Sequence, residues 1–116
     1  LGHASEMVEG TAIGFVIETA SVPLFPEVIS YAKKGFVPEG TGRNRDYRKD
    51  MVLTGKKVPQ YMQDILFDPQ TSGGLLISVA EKKADKLLNA LHTAGVKEAA
   101  IIGEVEAEPR GKVKVV

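Results

Sequence analysis

The sequence predicts an α+β domain in which helices pack on a mixed β-sheet, and two observations lead there. Runs rich in β-branched and aromatic residues, such as Thr11 to Thr19, alternate with amphipathic runs such as Glu81 to Ala94. Turn-forming glycines and prolines separate them, at Gly10, Gly35 to Pro38, Gly40 to Gly42, Gly73-Gly74, Gly95 and Pro109 to Gly111. No internal repeat competes with this reading. A chain of 116 residues fits one domain, large enough to bury roughly two thirds of the surface it exposes when unfolded.

Residues 3 to 9 are good helix formers that stop at Gly10. Thr11 to Thr19 is apolar on both faces, with Ile13, Phe15 and Ile17 on one and Ala12, Gly14 and Val16 on the other, as expected of an interior strand. Pro26 can open a short helix that carries Val28, Ile29 and Ala32 and closes at Gly35. From Phe36 to Lys57 the pattern weakens into a long, polar and irregular segment, with only Met51-Val52-Leu53 able to make a short strand. Pro59 starts a helix with a Met62, Ile65, Leu66 stripe, and Asp68-Pro69 should end it, because proline disfavours helical geometry at the residue before it. Leu75 to Val79 has the length and composition of a buried strand. Glu81 to Ala94 follows as a helix with Ala84, Leu87, Leu88, Leu91 and Ala94 on one face. Ala99 to Val105 and Lys112 to Val116 are two further strands whose connection, Glu108 to Gly111, suits an antiparallel hairpin.

Composition narrows the function. Fifteen basic residues balance fifteen acidic ones, so no bulk field favours nucleic acid or an anionic membrane. Cysteine is absent, which removes disulfides, thiolate metal sites and thiol nucleophiles and is compatible with the cytosol. No apolar run is long enough to span a bilayer as a helix. His3 and Glu6 stand at helical spacing, suited to a surface contact or a proton relay, but no third ligand supports zinc. The opening at Leu1, without methionine, reads as the interior of a longer protein.

Two loops have chemistry worth testing. In Asp68-Pro69-Gln70-Thr71-Ser72-Gly73-Gly74, backbone N–H groups of a glycine-containing turn can converge on phosphate oxygens, and Thr71 and Ser72 add hydroxyl donors. The same residues also make a plain stiff turn into a strand. It is not a P-loop, since no Gly-Lys-Ser/Thr follows. In Gly40-Thr41-Gly42-Arg43-Asn44-Arg45, two guanidinium groups beside a flexible turn can pair with phosphates. By itself, a mixed-charge run of this kind more often makes a solvated face.

Three segments together carry a more specific pattern. "LGHASEM", "VPEGTGRN" and "FDPQTSGGLLISV", followed by a helix and "IIGEV", resemble the C-terminal domain of selenophosphate synthetase, also called selenide, water dikinase. The resemblance extends over essentially the whole chain. It implies the α+β C-terminal domain fold of a wider ATP-using group that includes aminoimidazole ribonucleotide synthetase, thiamine monophosphate kinase and a hydrogenase maturation protein. It further implies a cytoplasmic enzyme that converts selenide, ATP and water into selenophosphate, AMP and orthophosphate, using Mg²⁺ and a monovalent cation.

The partners so implied are the protein's own N-terminal domain and a second subunit of a homodimer, with no nucleic acid or membrane. The family's catalytic Cys or selenocysteine, its neighbouring Lys and its metal-binding aspartates fall upstream of Leu1, so the resemblance carries no catalytic residue and no metal ligand onto this chain. By motif match, Thr41, Arg43, Asn44, Gln70, Thr71 and Ser72 are expected nearest the nucleotide or reacting phosphates, with Gly73 and Gly74 shaping the loop. One departure stands out: Glu39 replaces the first glycine of the family's Gly-Gly-Thr, and its carboxylate would repel phosphate if it pointed inward. The rival readings are another member of the same ATP-using group and a non-catalytic interaction module.

Overall fold

A computed structural model describes the whole chain, Leu1–Val116. Four strands form one mixed sheet: β1 (Gly14–Ile17), β2 (Val52–Thr54), β3 (Gly103–Glu106) and β4 (Val113–Val115), in the order β2-β4-β1-β3. β1 pairs antiparallel with β3 and parallel with β4, and β4 pairs parallel with β2. Five α-helices accompany it: α1 (Gly2–Val8), α2 (Val28–Lys33), α3 (Glu39–Arg48), α4 (Gln60–Leu66) and α5 (Glu81–Thr93). The expected α+β class holds.

Strand alternation sets the core. Phe15, Ile17, Val52, Val113 and Val115 point to one face, where they meet Ala4 and Val8 of α1 and Met62 of α4, with Val58 and Phe67 closing the cluster. α1 ends as expected, with Gly10 at φ 72°, a left-handed conformation suited to glycine.

The Phe36 to Lys57 segment is not irregular, because α3 runs through it for ten residues. Its sequence lacks an apolar stripe because the helix docks through polar side chains: its buried residues are Thr41 and Arg48. Arg48, only 9% exposed, reaches α1 and donates to Glu9 at 2.8 Å and to Glu6 at 2.9 Å. Arg45 reaches α4, with Nη1 2.7 Å from Asp64 Oδ1.

The expected β3–β4 hairpin is also overturned. β1 lies between the two strands, so the six-residue-scale link from Glu106 to Val113 must cross the end of β1. Gly14 makes that crossing possible, since a Cβ there would run into the carbonyl oxygens of Pro109 and Lys112. The interior strand is shorter than Thr11 to Thr19, and the strand expected over Ala99 to Val105 is regular only from Gly103.

Leu75 to Val79 departs most from expectation. It forms no strand and makes no backbone–backbone hydrogen bond, and Leu75 is 91% exposed. α5 forms where periodicity places it but buries none of its residues. Apolar composition states what a segment can bury. A strand also needs a partner edge and covered faces, and α1 and α4 cover the sheet on the β2-β4-β1 side.

Candidate functional site

The two motif segments meet in space. α4 ends at Phe67, and Asp68-Pro69 halts it as the sequence requires. The last carbonyls of a helix lack intrahelical donors. Asn44, one turn from the end of α3, supplies one: its Nδ2 donates to Phe67 O at 3.1 Å. At the start of α3, Gly40 lies against the next residue but one of the loop, so closely that a Cβ on it would sit 2.8 Å from Pro69 Cγ. Thus the Gly40 to Asn44 segment packs behind the root of the Asp68 to Gly74 loop.

The loop itself is a tight turn. Gln70 N–H donates to Asp68 Oδ2 at 3.1 Å, and Gly73 N–H donates to Gln70 O at 2.9 Å. Gln70 adopts φ 45°, a left-handed conformation uncommon outside glycine, asparagine and aspartate. The N–H groups of Thr71, Ser72 and Gly74 and the hydroxyls of Thr71 and Ser72 make no hydrogen bond within the chain, and all of these residues are exposed. A compact turn that presents unpaired donors outward is chemically suited to an anion.

This loop borders a groove of about 640 Å³ between α2 and α4, lined on its apolar side by Leu24, Phe25, Tyr31 and Phe36. No lysine or arginine lines it, while Asp64 and Asp68 do. The groove therefore offers neutral donors and apolar surface, without a cation of its own. A second, smaller cavity of about 180 Å³ lies between α3, α4 and β2, beside Arg45, Lys49 and Gln63, away from the loop.

The remaining expected residues separate by position. Thr41 is 1% exposed, and its Oγ1 is buried with no hydrogen-bond partner. Arg43 is at the surface, paired with Glu39 at 2.8 Å, with the two side chains 72% and 86% exposed. The Glu39 carboxylate thus points to solvent and pairs with the neighbouring guanidinium. Arg45 is engaged with Asp64.

His3 and Glu6 do share a face, with Nδ1 3.0 Å from Oε2, but on the exposed side of α1. Hydrogen bonds from His3, and then from Arg48, hold the Glu6 carboxyl below the ordinary carboxylate range. Glu9, with Glu6 behind it, raises the Arg48 guanidinium above its usual value. His92 Nε2 lies 2.9 Å from the Ala99 carbonyl oxygen. No group of three or more His, Cys, Asp or Glu side chains is arranged to hold a metal ion. No helix is long and apolar enough to cross a membrane.

Sequence reasoning missed Gly40 and Pro69 as a contact pair and Arg48 as the tie between α3 and α1. The spacing of Glu6, Glu9 and Arg48 carries no local signal, since the ion pairs join residues about forty positions apart.

Residues 1–116 match the family described as AIR synthase related protein, C-terminal domain, and the chain belongs to that family. Among curated relatives, it is 45% identical over 115 residues to a selenide, water dikinase of Pelobacter propionicus, covering 99% of this chain and 33% of the relative. It is 42% identical over 113 residues to the selenide, water dikinase of Clostridioides difficile, covering 97% and 32%. It is 36% identical over 116 residues to selenide, water dikinase 2 of Peptoclostridium acidaminophilum, covering 100% and 33%. The resemblance drawn from three motifs therefore holds along the whole chain, which spans about a third of the length of these relatives.

Proposed function

We propose that this chain is the C-terminal domain of a selenide, water dikinase, in which it forms one wall of the site that makes selenophosphate, AMP and phosphate from selenide, ATP and water. The observation that carries the reading is the meeting of the two motif segments at an exposed turn whose donors are unpaired. Gln70, Thr71 and Ser72, with the Gly74 N–H, face the nucleotide or the reacting phosphates, while Gly73 closes the turn on Gln70 O. Such donors stabilise charge that develops on a transferring phosphoryl group.

Arg43 adds a positive charge by exchanging Glu39 for a phosphate oxygen, at small cost because exposed ion pairs contribute about 0–1 kcal/mol. Thr41 and Asn44 stand behind the loop. The groove lacks a cation, so most neutralising charge comes from the part of the enzyme beyond this chain, in a partner N-terminal domain and homodimer. Mg²⁺ and a monovalent cation belong there as well, since the carboxylates of this chain do not cluster to hold a metal. ATP as substrate fits a cytoplasmic enzyme.

The test uses the longer protein that contains this chain, assayed for selenide-dependent AMP formation from ATP. Thr71→Ala and Ser72→Ala together should lower kcat/KM by about tenfold or more, the scale of a lost charge-stabilising donor, with the melting temperature unchanged. Wild-type kinetics in that double variant would remove the loop from the site.

A further inference from the structure

We infer that Gly40 and Asn44 are positioning residues: α3 sets the place of the Asp68 to Gly74 loop through a glycine–proline contact and one side-chain clamp, without touching substrate. This rests on the reading of the loop as a phosphate-facing wall. The loop has little else to hold it. Its own hydrogen bonds, Gln70 N–H to Asp68 Oδ2 and Gly73 N–H to Gln70 O, are local and constrain its shape, while neither ties it to the rest of the fold. On its C-terminal side it runs into Leu75 to Val79, which pairs with nothing. Its external anchors are therefore on the N-terminal side: Phe67 is buried in the core and Asp68 N–H donates to Ile65 O at 3.2 Å, and α3 adds Gly40 against Pro69 and Asn44 Nδ2 on Phe67 O at 3.1 Å.

α3 is a sound reference frame for this role. Arg48 ties it to Glu6 of α1 and to Glu9 just past its end, and Arg45 ties it to Asp64 of α4. Gly40 is the second residue of α3, where alanine fits helical geometry as well as glycine does. Any functional loss in Gly40→Ala therefore has to come from the added methyl, which would meet Pro69 Cγ at 2.8 Å. That atom is held in the pyrrolidine ring, where only a change of pucker can move it, so the contact is relieved by a repuckered ring or a shifted loop root. Pro69 Cβ and Cδ are 3.8 Å away, an ordinary contact, so Pro69→Ala, which removes Cγ and keeps Cβ, relieves the clash.

The experiment compares the full-length enzyme with Gly40→Ala, Pro69→Ala, the Gly40→Ala/Pro69→Ala double variant and Asn44→Asp, which keeps the shape of the side chain but removes its N–H donor. Three quantities are read: KM and kcat for ATP, and hydrogen exchange of the peptide holding the Gln70 and Gly73 amides, measured without nucleotide. Gly40→Ala and Asn44→Asp should raise KM for ATP about tenfold, as expected for a binding group displaced by a fraction of an ångström. They should also speed exchange in that peptide while melting temperatures hold. The double variant should return both readouts toward wild type.

Restored exchange with kinetics that never changed would uphold the positioning of the loop and overturn its assignment to the nucleotide site. Exchange that does not respond in Gly40→Ala and Asn44→Asp, or a double variant no better than Gly40→Ala, would overturn the positioning itself.

Discussion

Replacing Thr41 by valine exchanges one buried oxygen for a methyl group and changes little else. Thr41 lies in the first turn of α3 at 1% exposure, and its hydroxyl has no hydrogen-bond partner. A hydroxyl buried without a partner costs about 1–3 kcal/mol on the scale of protein mutational data. Threonine and valine have similar helix propensities, so that term nearly cancels. The slightly bulkier methyl takes back part of the gain, leaving an expected stabilisation of about 1 kcal/mol. For a domain of this size that raises the melting temperature by roughly 3–5 °C.

Thermal unfolding of the 116-residue chain, followed by far-UV circular dichroism, measures it. Thr41→Ser serves as the control that keeps the hydroxyl and loses the methyl, and it should be destabilised. A fall in melting temperature for Thr41→Val comparable to that of Thr41→Ser would show that the hydroxyl is paired, and would refute the reasoning.

Two further outcomes follow from the fold. Glu6 is held below the ordinary carboxylate range by His3 and Arg48, so the folded state binds its proton less readily than the unfolded chain; its contribution is fully present above the unfolded carboxylate value and is lost as pH falls through the lower folded value. Urea midpoints from neutral pH into that acid range should therefore decline less steeply in Glu6→Gln than in wild type, and identical slopes would contradict the ion pair. Gly14→Ala would drive a Cβ into the carbonyl oxygens of Pro109 and Lys112, an overpacking that should destabilise the chain by about 1–3 kcal/mol. An unchanged urea midpoint would mean that the β3–β4 connection does not cross β1 there.

Much of the local structure was legible because it rests on short-range rules. Pro59 and Pro69 bracket α4, Gly10 and Gly35 end α1 and α2 at positive φ, and the Ala84, Leu87, Leu88, Leu91 periodicity marks α5. The candidate loop was legible for the same reason: Asp68, Pro69 and the glycine pair specify a turn. α3 was not, because its stability comes from partners on other elements: Glu6 and Glu9 for Arg48, Asp64 for Arg45 and Phe67 O for Asn44. A polar helix that docks through ion pairs has no periodic apolar signature to read.

By itself, then, the sequence determined the α+β class, the turns and the family, since these depend on local backbone preference and on residue patterns that need no partner. Tertiary structure alone decided that β1 lies between β3 and β4, that Leu75 to Val79 goes unpaired, and that Gly40 meets Pro69. Each of those is a pairing between residues far apart in the chain. Which distant groups meet depends on the whole set of competing contacts, which no single segment encodes.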